Sequence, residues 1–173
     1  VNFVPFMYLG AKHMVTGYDH LLFLVGVIFF LYRLKDIGIY VSLFAVGHSS
    51  TLLLGVFADI HINAFIIDAI IGLSVVYKAI DNLGAFQQWF GVQPNTKIST
   101  FIFGLFHGFG LAAKIIDFEL DTNGLFTNLI AFNIGVEIGQ LLALSAILIL
   151  ISYWRKRSSF LIHAYSANVI LMT

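Results

Sequence analysis

Six apolar stretches dominate this sequence: Met14 to Tyr32, Ile37 to Ala58, Ala64 to Ile80, Ile98 to Ile115, Leu125 to Tyr153, and Phe160 to the end. The first five approach or exceed the roughly 20 mostly apolar residues that a helix needs to cross a bilayer, and all six read as spans. The links between them are short, so consecutive spans are expected to run antiparallel in a tight bundle. Of the 173 residues, 60% are hydrophobic and 10% charged, and the mean hydropathy is +0.95. That composition lies well outside the range of a soluble domain of this size. The expected fold is all-α, a polytopic membrane bundle of about six transmembrane helices forming a single domain over residues 1–173. An apolar run reaching Thr173 leaves room for a seventh span beyond it. The start, Val1 to Leu9, has neither a basic region nor a small-residue cleavage site, so no cleavable signal is expected there.

Charge position sets the expected orientation. Arg33 and Lys35 fall in the first link, Lys97 in the third, and Arg155, Lys156 and Arg157 in the fifth. The second link carries Asp59 and His61 without a basic residue, and the fourth carries Asp117, Glu119 and Asp121. Basic residues stay on the cytoplasmic side, so the amino terminus is expected outside, with Lys12 and Lys114 as the exceptions. A bacterial inner membrane is the expected location. Nine basic and nine acidic residues cancel, which leaves no global charge to draw nucleic acid. With no cysteine in the chain, disulfides and thiolate metal sites are excluded, and imidazole, carboxylate and amide groups are the strong ligands available.

Ionisable groups within such spans cost several kcal/mol unless paired or facing a cavity, which marks each as a functional candidate. The first span opens with HMVTGYDH, giving His13, Asp19 and His20. His13 and His20 are seven residues apart and share a face if one helix includes both. Asp19 points elsewhere, but can hold the other ring nitrogen of a neighbouring histidine. Span two carries His48 with Ser49, Ser50 and Thr51. Span three carries Asp68 and Ser74, with Lys78, Asp81 and Asn82 toward its inner end. Span four carries His107, and span five carries Asn133, Glu137 and Gln140 as one polar stripe. Counted from each span's outer end, His20, His48, Asp68, His107, Asn133 and Glu137 all fall between the outer surface and the midplane, so five helices contribute to one layer. A divalent metal site is the expected outcome.

Other polar positions have plainer readings. Asn82, Gln140, Ser49 and Thr51 are expected to form helix–helix hydrogen bonds. Lys78 and Asp81 suit an inner-interface ion pair or snorkelling. His61 and His163 are read as interfacial or loop residues. Gly104 with Gly108, and Gly135 with Gly139, have the spacing that lets helix backbones approach closely. No convincing internal repeat is visible.

The segments HMVTGYDHLLFL (His13 to Leu24), GHSSTL (Gly47 to Leu52), IDAIIGLSVVYKAIDN (Ile67 to Asn82), FGLFHGFGLA (Phe103 to Ala112) and FNIGVEIGQL (Phe132 to Leu141) resemble the HupE/UreJ family of small membrane proteins. The resemblance covers most of the chain in the family's order. It implies hydrogenase or urease accessory function as a nickel or cobalt permease. It implicates His13, Asp19, His20, His48, His107 and Glu137 in metal handling. Asp68 stands where the family pattern has glutamate, and its shorter arm would alter ligand distance or metal preference.

Two further readings stay open. Three histidines with an open position suit an intramembrane zinc-dependent hydrolase with Asp19 or Glu137 as general base, loosely similar in residue type to ceramidase-like membrane hydrolases. The chain could equally be a metal-binding subunit of a larger membrane complex. Expected partners are a divalent metal ion (nickel, cobalt or zinc), membrane lipid, and a second copy or other membrane subunits.

Overall fold

The computed structural model describes residues 3–31, 33–116 and 124–172. Val1, Tyr32, Thr173 and the acidic Asp117, Glu119 and Asp121 lie outside the described residues, as does the side chain of Lys114. Among the described residues the secondary structure is helical throughout, in eight helices. They are α1 (Phe3–Thr16), α2 (Tyr18–Ile28), α3 (Leu34–Phe57), α4 (Ala64–Asn82), α5 (Ala85–Phe90), α6 (Thr96–Ile116), α7 (Leu125–Arg155) and α8 (Phe160–Ile170).

Two of these helices are long and apolar enough to cross a membrane, Lys35–Phe57 within α3 and Leu125–Arg155. The 31 residues of α7 extend about 46 Å, beyond the roughly 30 Å of a bilayer's hydrocarbon. In α4, Asp68, Lys78 and Asp81 interrupt an otherwise apolar helix. Its start is set by Asn63, whose Oδ1 accepts from the backbone N–H groups of Phe65 at 3.0 Å and Ile66 at 3.4 Å.

The first expected span is replaced by two helices. Helix begins at Phe3, well before Met14, and breaks at Gly17, whose backbone is extended (φ −78°, ψ 90°). The segment ahead of His13 is helical because Gly10 lets it lie directly on α7: a Cβ there would sit 2.0 Å from the carbonyl oxygen of Phe132. The link expected from Asp81 to Lys97 also contains an element of its own. The apolar, aromatic α5 is bracketed there by Gly84 and Gly91, both with left-handed backbones (φ 70° and 69°) that favour glycine.

Helix direction follows from which backbones touch. A Cβ at Gly135 would meet Met7 O at 1.9 Å, and one at Gly139 would meet Ala11 O at 2.7 Å, so α1 and α7 run parallel. In the same way Gly104 abuts Phe44 O (2.6 Å) and Gly108 abuts His48 O (2.1 Å), which makes α3 and α6 a second parallel pair. Thr51 Oγ1 ties that pair by donating to Leu105 O at 2.7 Å. The small-residue spacings therefore act in close helix contact, and two glycine-apposed pairs stand where the sequence offers no matching repeat. The far ends of α2 and α7 meet, because the Arg155 guanidinium donates to the carbonyls of Ile28, Phe29 and Leu31. This gives α1, α2 and α7 one sense and, after the short turn into α3, places α3 and α6 in the opposite sense.

At that far end a buried polar network closes the bundle. Lys78 Nζ donates to Asp81, which also accepts from Gln93. Asn82 Nδ2 donates to Gly26 O at 2.8 Å and to Asn168 Oδ1 at 3.0 Å. The expectations for Asn82, Thr51 and the Lys78–Asp81 pair match these contacts.

Candidate metal centre

The break at Gly17 positions the first two histidines. His13 ends α1 and His20 opens α2, and their rings meet across the bend with centroids 5.1 Å apart. They do not share one continuous helical face. Gly17 is required sterically: a Cβ at this position would lie 2.9 Å from His13 O, 2.9 Å from His20 Nδ1 and 3.2 Å from Asp19 Oδ1. Asp19 Oδ1 lies 2.8 Å from His20 Nδ1 and accepts the His20 backbone N–H at 2.9 Å. A carboxylate can only accept, so Nδ1 carries the proton and Nε2 keeps its lone pair.

The other two histidines arrive on the α3/α6 pair. His48 is fully buried, with its ring centroid 5.7 Å from that of His20. His107, also fully buried, approaches His20 to 4.8 Å between centroids. Its Nδ1 donates to Phe103 O at 2.7 Å, one turn back in α6, and this again leaves Nε2 as the lone-pair nitrogen. The close approach of Gly104 and Gly108 to α3 is what brings His48 and His107 this near. His20 Nε2, both ring nitrogens of His48, and His107 Nε2 are buried without a hydrogen-bond partner. Buried polar atoms in this state cost roughly 1–3 kcal/mol each and call for an absent water or ion.

One ring nitrogen from each of His13, His20 and His48 lies within 4.8 Å of the others, a group that could hold a metal ion. Neutral imidazoles are good ligands for first-row divalent metals such as nickel, cobalt and zinc, and poor ones for calcium. The donor set thus fits such an ion. Phe23 and Phe44 wall the cluster, with ring centroids 5.7 Å and 5.0 Å from His107. The Asp19 side chain is 39% exposed and His13 is half-buried, whereas His20, His48 and His107 are buried.

The structure brings His13, Asp19, His20, His48 and His107 together. Asp68 and Glu137 are not among the three residues whose donor atoms group closely enough to hold a metal ion. Asp68 is exposed on α4. Glu137 is exposed on α7 and lines a cavity of about 250 Å³ with Val41, Ser42, Ala45, Val46 and Leu141. Asn133 donates to Leu129 O at 3.1 Å in its own helix. Gln140 departs from its expected helix–helix bond, since neither of its amide atoms has a partner. His61 is exposed in the link between α3 and α4, and His163 is exposed within α8.

The model of the family described as HupE / UreJ protein matches residues 1–173, the whole chain. The chain belongs to the HupE/UreJ family. Members of this family are membrane-associated and linked to nickel and cobalt in an accessory or transport role. Neither a curated protein nor a solved structure gives a match. The segment HMVTGYDH (His13 to His20) has a physical reading here: the glycine makes room, the aspartate fixes a ring, and two histidines face each other across the bend.

Proposed function

We propose that the chain is a single membrane domain, crossing the bilayer about six times with its amino terminus outside, and that it is a permease for nickel or cobalt in a bacterial inner membrane. The observation that carries the reading is the convergence of His13, His20, His48 and His107 from four different helices, with lone-pair nitrogens buried among them. The cation is the cargo. His13, His20 and His48 would hold it, His107 would line the chamber, and Asp19 would orient His20.

Several features support transport. The α1–α2 crossing is discontinuous, and its break lies at the histidines; broken helices recur at the ion sites of secondary transporters. The helix directions alternate as the basic links require, with Arg33, Lys97 and Arg155 to Arg157 at one end. Asp19 gives the chamber a polar, partly exposed side toward the outside. On the other side Phe23, Leu24, Met14 and the Lys78–Asp81 pair are buried, which supports reading this arrangement as closed toward the cytoplasm. The hydrolase alternative gains nothing from the geometry: Asp19 is committed to His20, and Glu137 is turned to the outside of the bundle.

The test is uptake of nickel or cobalt into proteoliposomes loaded with a metal-sensitive dye. Wild-type protein should transport, and His20→Ala or His48→Ala should abolish uptake while leaving the protein folded. Equal uptake by the variants and wild type would overturn the reading.

A further inference from the structure

The four histidines come from α1, α2, α3 and α6, leaving α7 without a stated role at the centre although it is tightly apposed to α1. We infer that Gln140 is the α7 residue that meets the cation, its amide oxygen turned toward the ion or toward an ion-bound water. This rests on the proposed metal centre and adds a donor to it.

The argument begins with helix register. Gly139 lies against Ala11, two residues before His13, so Gln140 starts at about the height of His13. Phe132, Val136 and Gln140 follow one another at four-residue intervals on a single face, and all three are buried. That face looks at the histidines, for the Phe132 and His13 rings are 5.9 Å apart between centroids. Side chains lean toward the N-terminus of their helix, which carries the Gln140 amide back along α7 toward Val136 and the chamber. Glu137, three positions earlier, falls on the exposed side.

The second observation is chemical. Gln140 is fully inaccessible, yet neither its amide oxygen nor its amide nitrogen has a hydrogen-bond partner. The other buried amide side chain, Asn168, is bonded through both atoms. Partnerless buried side-chain atoms also occur on His20, His48 and His107, and on α7 at Asn133 Oδ1, but Asn133 is bonded through its Nδ2, so Gln140 is the α7 amide that lacks a partner at both ends. A group that merely joined helices would have found a partner, as Thr51 and Asn82 do. A hydrated divalent cation supplies what both ends of the amide lack.

The experiment uses the purified full chain in lipid nanodiscs, titrated with nickel and cobalt, with apo-protein melting and the cobalt absorption spectrum as further readouts. Gln140→Leu keeps the volume and removes both polar atoms. It should bind nickel about tenfold more weakly, the scale set by losing a supporting contact at a metal site, and should shift the cobalt d–d bands. Its apo melting temperature should equal or exceed that of wild type. Gln140→Glu keeps the oxygen and should retain cobalt binding and a wild-type-like spectrum, which serves as the readout if the leucine variant does not fold. Wild-type nickel affinity and cobalt bands in Gln140→Leu, alongside loss of binding in His48→Ala, would overturn this inference and leave the histidine centre standing. An apo melting temperature lowered in Gln140→Leu, with the cobalt spectrum unchanged, would assign Gln140 to helix association. If His48→Ala also bound metal normally, the centre itself would be refuted.

Discussion

Asp19 Oδ1 holds His20 by two atoms at once, 2.8 Å from the ring Nδ1 and 2.9 Å from the backbone nitrogen. Side chain and main chain of one residue are therefore fixed by the carboxylate immediately before it, at the first turn of α2. The ring cannot swing without breaking a charge-assisted bond, so it is held beside those of His13, His48 and His107.

It follows that Asp19→Ala should weaken nickel or cobalt binding by about 10- to 100-fold, the usual effect of removing a partner that orients a ligating histidine. Asp19→Asn keeps an acceptor oxygen and should lose less. Isothermal titration of both variants checks the ordering. Equal losses would mean that the charge of Asp19 matters and its hold on the ring does not.

The glycines give a prediction with an internal control. Gly108→Ala would put a Cβ 2.1 Å from His48 O and 2.2 Å from Thr51 Oγ1, forcing α6 away from α3. A shift of this kind costs about 1–3 kcal/mol and should also loosen the metal site, because His48 and His107 are held by that contact. Gly38→Ala and Gly72→Ala meet nothing within 4 Å and should be neutral or stabilising by up to about 1 kcal/mol, since alanine is the better helix former. Thermal melting of the three variants decides it.

Much of the centre was legible because hydrophobic patterning and residue type are written locally. His20, His48 and His107 stand out as imidazoles in apolar runs, and the helices of His48 and His107 start and stop near the expected limits. What the sequence conceals is rotation about each helix axis. A depth count says nothing of which face a residue takes, and Asp68 on α4 and Glu137 on α7 are both exposed. The break at Gly17 was masked for a related reason: HMVTGYDH reads as an unbroken helical start, and only the crowding of His13 O, His20 Nδ1 and Asp19 around Gly17 explains the bend. The signal that was available lay in Gly10, which shares with Gly135 and Gly139 the small size that seats α1 on α7.

Lys78 and Asp81 test how the opposite end of the bundle is held. Both side chains are nearly inaccessible, at 7% and 3% exposure, and Asp81 also accepts from Gln93 in the link ahead of α6. Removing one partner strands the other charge, which costs about 3–5 kcal/mol, whereas replacing both by apolar residues of similar size is often neutral or better. Lys78→Met and Asp81→Leu should each lower the melting temperature markedly, and the double variant should recover most of the loss. A double variant as unstable as the sum of the singles would show that Asp81 matters through Gln93 and not through Lys78.

The chain has two tryptophans, and they allow the depth of this end of the bundle in the membrane to be measured. Trp89 lies on α5, 65% exposed, beside Phe90 and Val92, which are 70% and 64% exposed. Phe86 of the same helix rests on Tyr77 at 5.0 Å between ring centroids, so α5 is moored to the end of α4 while its other aromatic residues project outward. Trp154 is at the end of α7, its ring 5.8 Å from Phe29 and 5.1 Å from Phe160. Both indoles therefore mark the end of the bundle that carries Lys97 and Arg155, where aromatic rings favour the boundary between headgroups and acyl chains. In nanodiscs, the single-tryptophan variants Trp89→Phe and Trp154→Phe should each retain an indole quenched most by lipids brominated near the headgroup and least by lipids brominated at the chain end. A Trp89 indole that water-borne iodide quenches and brominated lipid does not would place α5 in solvent. If brominated lipids quench neither indole, the six-crossing arrangement itself fails.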